Sequence, residues 1–143
     1  MPDALHILPD AVFTILQYLR ARSEVTALAP SANIVSQMPT VFSGSYITVT
    51  LAGSAPIWPH LDEASLQVDV MITGPIEGTE AQNNCSILAR TVRAAMWAIR
   101  NDIVNGVVMS GCVEEVGPQW MPDLTPTLPV ARFTARYRVL LHP

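Results

Sequence analysis

The sequence predicts an α+β fold: a mostly antiparallel β-sheet of about four main strands with two α-helices packed on one face. Three features carry that reading. Ala81, Cys85, Leu88, Val92, Ala95 and Ile99 recur at spacings of four and three, which places them on one stripe of a helix. Leu66, Val68, Val70 and Ile72 alternate with Gln67, Asp69 and Thr73, the period of a strand with one buried face. The order helix, strands, helix, strands supplies amphipathic helices and a sheet face for them to cover.

In chain order, the first helix opens at Asp10, whose carboxylate can accept from the free N–H groups of the first turn. Val12, Ile15, Leu16 and Leu19 share its apolar face, and Arg20 and Arg22 close it where cations suit a helix C-terminus. Ser23 to Leu28 adds a short second helix that Pro30 stops. Ser31 to Gln37 reads as a loop, and Val41-Phe42 as a short strand or the approach to one. Tyr46 to Leu51 alternates apolar and hydroxyl side chains and is a strand. Gly53 to Pro59 reads as a loop with an apolar tip. The strand from Leu66 to Thr73 ends at Gly74-Pro75.

Thr79 followed by Gln82 fits a capping box at the start of the main helix, and Gly106 fits the position after its end. Val107 to Val116 is the third strand. Gly117 to Pro129 contains four prolines and reads as a loop. Ala131 to Leu141 is the fourth strand. Ala131, Phe133, Ala135, Tyr137, Val139 and Leu141 line one face, and Arg132, Thr134, Arg136 and Arg138 the other. The last two strands are expected to pair as a long-looped hairpin.

Length and composition bound the function. A chain of 143 residues has the size of one domain, 1–143, large enough to hold a core without disulfide or metal. Half its residues are hydrophobic and 14% are charged, against an average of about 25%. A surface that poor in charge suggests apolar area covered by a partner, often another copy of the chain. All 8 basic residues are arginines, and the net charge of −4 argues against a general nucleic-acid binder. The N-terminus lacks the pattern of a signal peptide. Val25 to Leu61 contains no charged residue, but Pro30, Pro39, Pro56 and Pro59 interrupt it, so no membrane span is expected.

The search for chemistry yields no catalytic, cofactor or metal site. There is no phosphate-binding glycine loop, no His-Glu-x-x-His and no Gly-x-Ser-x-Gly. His6, His60 and His142 are too scattered to suggest a metal centre. Cys85 and Cys112 form no Cys-x-x-Cys pair and read as small buried hydrophobes. Glu114 and Glu115 are adjacent, so on a strand they point to opposite faces. Six residues remain as candidates for subunit or partner contact. Asp69 is a carboxylate in mid-strand, and Arg132, Arg136 and Arg138 on the last strand could answer it or a neighbouring subunit's acids. Trp58 and Trp120 lie in proline-rich segments, where an aromatic either folds back on the core or anchors a partner. Trp97, beside the main helix stripe, reads as a packing residue.

Several segments together resemble the tail terminator proteins of long-tailed bacteriophages, especially those of actinobacterial phages. They are Phe13 to Leu28, then Gln67-Val68-Asp69-Val70 with Glu80-Ala81 and Leu88 to Ala95, then Val116 to Asp123 with Arg132 to Tyr137. The resemblance covers most of the chain. The proline-rich middle from Pro30 to Pro59 departs from it. It implies a virion protein that caps the tail tube as a ring, typically of six subunits, ends tube polymerisation and presents a surface for head–tail joining. It further implies contact with the tail tube protein and the head–tail connector, with DNA only as cargo through the ring. No cofactor or catalytic residue is implied. The place implied is the head-proximal end of the virion tail, after assembly in the host cytoplasm. Two alternatives stand beside it: a head-completion protein of the same virion, and a small α+β ligand-binding domain or enzyme.

Overall fold

The computed structural model describes residues 8–40, 42–58, 61–73, 79–123 and 129–142, with the backbone alone for 55–58. The elements are helix α1 (Ala11–Arg20), helix α2 (Ser23–Thr26), a 3-10 turn (Ser31–Asn33) and strands β1 (Ile34–Val35), β2 (Ser45–Trp58) and β3 (Leu61–Thr73). Helix α3 (Glu80–Trp97) and strands β4 (Asp102–Val104), β5 (Val107–Trp120) and β6 (Val130–His142) follow. The six strands form one sheet in the order β1-β2-β3-β6-β5-β4. Among the described residues only the β1–β2 pairing is parallel. The α+β class is as predicted, with six strands and three helices in place of about four and two.

The helices form where the sequence indicates. Asp10 caps α1 by accepting from the Phe13 N–H at 3.0 Å. Ile15, Leu16, Tyr18 and Leu19 then point into the core, and Cys85, Leu88, Val92, Ala95 and Met96 do so from α3. Between them and the sheet lie Leu66, Val68 and Val70 of β3 and Ala135, Tyr137, Val139 and Leu141 of β6. The Tyr18 hydroxyl donates to the Ala95 carbonyl at 2.6 Å and ties α1 to the end of α3. That carbonyl also accepts from the Ala98 N–H. Tyr18→Phe should therefore cost only about 0.5–1.5 kcal/mol in urea denaturation, the net worth of one hydrogen bond. Arg20 reaches beyond its own helix and donates twice to the Ile34 carbonyl, at 2.6 and 3.0 Å, which pins β1 beneath α1.

Several local expectations are corrected. Thr79 sits in helical backbone and makes no side-chain cap, so the capping box does not form: a capping side chain needs an extended N-cap to turn back on the first turn. Gly106 does not follow α3, which ends at Trp97. With Asn105 it forms a two-residue turn with both φ positive, +49° and +79°, between β4 and β5. Asn-Gly suits that hairpin turn because its twist matches the strands. Gly53 to Trp58 is strand, since β2 pairs with β3 out to Trp58 and Leu61, with irregularities at 51/53 and 56/58. Gly117 to Trp120 is likewise strand, paired to β6 past an irregularity between Val116 and Gln119. Both strands have an unpaired outer side at Pro56 and Pro118 among the described residues, where a missing N–H breaks no ladder. Ile34–Val35, expected as loop, is the short strand β1. Phe42 is no strand; its ring meets Tyr46 edge-on at 5.6 Å. The expected stop at Gly74-Pro75, His6 and His60 lie outside the described residues.

Candidate partner interface

Strand β6 lies at the centre of the sheet, between β3 and β5, so its alternation decides what each face shows. Its apolar set faces the helices. Arg132, Arg136 and Arg138 face the other way, as the sequence predicts, onto a sheet face that no helix covers among the described residues. Asp69 shares that face, flanked in register by Thr48 on β2 and Thr134 on β6. Four of the six candidate residues thus share one surface.

On that face the arginines are answered largely within the chain. Arg138 pairs with Glu63 of β3 at 3.0 Å. Arg132 Nε donates to the Met121 carbonyl at 2.9 Å. Arg136, level with Gln67 and Val116, has no ion-pair partner among the described residues. Among the described residues Asp69 accepts long contacts from Gln67 Nε2 alone, at 3.3 and 3.4 Å, and none from an arginine. Glu115 accepts from Ser65 Oγ at 2.6 Å, reaching over β6. Among the described residues the three arginines thus share the face with carboxylates that include Glu63, Asp69 and Glu115, so its charge is mixed in sign. Two shallow hollows run along β6, of about 350 Å³ beside Glu63, Val113 and Arg138 and about 200 Å³ beside Gln67, Val116 and Arg136. Val113 and Val116 of β5 and Ile103 of β4 stay exposed here, Ile103 at 69%. Isolated exposed apolar residues are ordinary; apolar residues interleaved with charges on one uncovered face fit a protein contact.

The two tryptophans part company. Trp120 ends β5 on the helix side, 5.2 Å from the Phe133 ring, and packs on the core; it leaves the shared surface. The backbone places Trp58 at the far end of β2, opposite Leu61, and its side chain lies outside the described residues.

A third tryptophan marks a cluster that sequence reading missed. Glu114 and Glu115 point to opposite faces as expected, but Glu114 meets α3. Arg93 grips it through two hydrogen bonds of 2.7 and 2.9 Å, and the same guanidinium lies 4.4 Å from the centre of the Trp97 ring. Hydrogen bonding to Glu114 raises the Arg93 pKa above its ordinary value. Trp97 is 53% exposed, a fixed aromatic ledge above β5 in place of the expected packing residue. The available signal was parity: Glu114 falls on the helix-facing side of its strand, where a carboxylate needs a cation.

The cysteines are chemically quiet. Burial pushes the Cys85 thiol up to about 11, and burial with the Glu114 charge pushes Cys112 up to about 12. Among the described residues no cluster of His, Cys, Asp and Glu could hold a metal ion, and no helix is long and apolar enough to cross a membrane.

No protein-family model matches the chain, and no curated protein matches it. Among solved structures, a protein that carries only a sequence designation superposes with a TM-score of 0.51, over 93% of this chain and 94% of its own, at 14% identity. At that identity the likeness shows the fold alone.

Proposed function

We propose that the chain is a ring subunit that caps the tail tube of a long-tailed bacteriophage, ends tube polymerisation and offers the surface for head–tail joining. The observation that carries this reading is the uncovered sheet face. A domain with a complete core on one side of its sheet keeps Val113, Val116 and Ile103 in water on the other, among balanced charges. Such a surface suits contact with protein better than with a small substrate or nucleic acid. The sequence resemblance supplies the identity of the partners: further copies in a ring of six, the tube protein and the connector, with DNA only as cargo. Electron microscopy of virions assembled without the protein tests the reading. Overlong or headless tails support termination. Tails of normal length beside unplugged heads would instead mark a head-completion protein, and unaltered virions would exclude both.

A further inference from the structure

The sheet has two outer edges, and each is covered only at one end. β1 shields β2 at Ile47 and Thr48 alone. β4 shields β5 at Val107, Val108 and Met109 alone. Among the described residues this leaves two uncovered windows of backbone, Val49 to Ala55 on β2 and Gly111 to Gly117 on β5. Neither contains proline or a basic residue; Pro56 and Pro118 stand just outside.

The windows match. Following the register across the sheet, Thr50 is level with Gln67, Arg136 and Val116; Leu51 with Leu66, Tyr137 and Glu114; Ser54 with Ala64, Val139 and Cys112; Ala55 with Glu63, Leu140 and Gly111. They occupy the same rows. Three antiparallel steps separate the strands, so β2 and β5 run in opposite directions. A second copy set alongside in the same orientation would bring its β2 window against the first copy's β5 window as an antiparallel pair. Helix face would continue into helix face, while β1 and β4 stand clear at opposite ends. Leu51, 54% exposed on the helix side, is level with Glu114, where Trp97 stands on Arg93.

We propose that copies of this chain join head to tail by pairing the β2 edge of one with the β5 edge of the next, one continuous sheet running around the ring. This names the neighbour contact within the tail-cap reading and rests on that reading for the closure of the ring. The contact is heterologous, so it closes or propagates by rotation, unlike a two-fold dimer. The irregularities at 51/53 and 114/116 add local twist and bend, which a sheet needs to curve around an axis. The chain has no lysine, the usual guard of an exposed strand edge.

The test reads oligomeric state and backbone exchange together. The parent chain should assemble with concentration in light scattering, and amides in both windows should slow together by on the order of tenfold or more in hydrogen exchange. Thr50, Ser54, Val113 and Val116 are exposed, so T50K/S54K and V113K/V116K spare the core. Each variant alone should stay monomeric with parental circular dichroism. Mixed in equal amounts they should give dimers only, since each retains the edge the other needs. Assembly of either variant like the parent, or an assembled parent whose windows exchange freely, overturns the edge pairing and leaves the tail-cap reading standing. A parent that stays monomeric at the highest attainable concentration also overturns it, and the tail-cap reading is then decided by the virion experiment.

Discussion

Tyr137→Ala is expected to lower the melting temperature by roughly 10–20 °C, the largest single effect of any substitution in this core. Tyr137 is the bulkiest fully buried side chain, 1% exposed, on the central strand β6. Its register neighbours are Leu66 on β3 and Glu114 on β5, and the row faces α3. Truncation removes the ring and leaves a cavity that strands paired on both sides cannot close, a cost of about 3–5 kcal/mol for an aromatic. Its phenol is raised well above the ordinary tyrosine value by burial first and then by the Glu114 charge, so it is neutral in the folded chain. Tyr137→Phe keeps the volume and should recover most of the loss in the same melting experiment. Equal losses for both variants would show that the hydroxyl contact with Glu114, not packing, holds this row.

That row also shows where sequence reading stops. The apolar alternation of β6 and the stripe of α3 are set by burial, and burial leaves a period in the sequence. Leu66, Val68 and Val70, or Leu88, Val92 and Ala95, could therefore be placed before any coordinates. Strand ends and pairs are different. Gly53 and Pro56 are poor strand formers alone, and they become strand because β3 supplies a ladder beside them. β1 is two residues long and parallel, too short for any period to show. Among the candidate contact residues, the shared face of Asp69 and the three arginines followed from parity, but their partners did not. The Glu63–Arg138 pair depends on which strands are adjacent, which only the topology decides. Trp120 shows the same limit: its sequence position left folding back on the core and anchoring a partner both open, and the choice is made by the extension of β5, whose Gln119 and Trp120 pair with β6 and set the ring on Phe133.

Chain adjacency has a consequence for the surface as well. β6 sits between β3 and β5, although β5 and β6 are consecutive and β3 is not. The crossover through α3 carries the chain from β3 to the far edge, and β6 returns to fill the middle. A strand with one continuous apolar face thus lies where both sides are paired, and the long strands next to the margins, β2 and β5, carry glycines, hydroxyls and bulges. Margins of that composition can stay in water in the free chain and still have the N–H and C=O groups that a neighbouring strand would use.

Raising the pH should destabilise the chain steeply, starting just above the ordinary thiol value of 9.0. Below that value both cysteines are protonated whether the chain is folded or not, and they contribute nothing to the pH dependence. Between it and the folded value of about 11 for Cys85, the unfolded chain gives up a proton that the folded chain keeps. Ionisation then favours the unfolded state, and stability falls with pH across this window. The rise from 9.0 to about 11 corresponds to about 3 kcal/mol for Cys85. Cys85 is fully buried, with its single S–H within 3.5 Å of both the Val70 and Ala131 carbonyls as acceptors. Cys112, raised from the same 9.0 to about 12 and partly exposed, adds to the fall from 9.0 onward and carries it beyond the Cys85 window. Tyr18, raised chiefly by burial, adds to it above the ordinary tyrosine value of 10.0. Urea denaturation at intervals from about pH 8 to about pH 11 reads the slope. Cys85→Ala should roughly halve the thiol-driven slope between 9.0 and about 11, at a neutral-pH cost of about 0.5–1.5 kcal/mol for the buried sulfur it removes. A parent profile that stays level to about pH 11 would mean that the helix α3 packing over Cys85 opens to admit water before the thiol ionises.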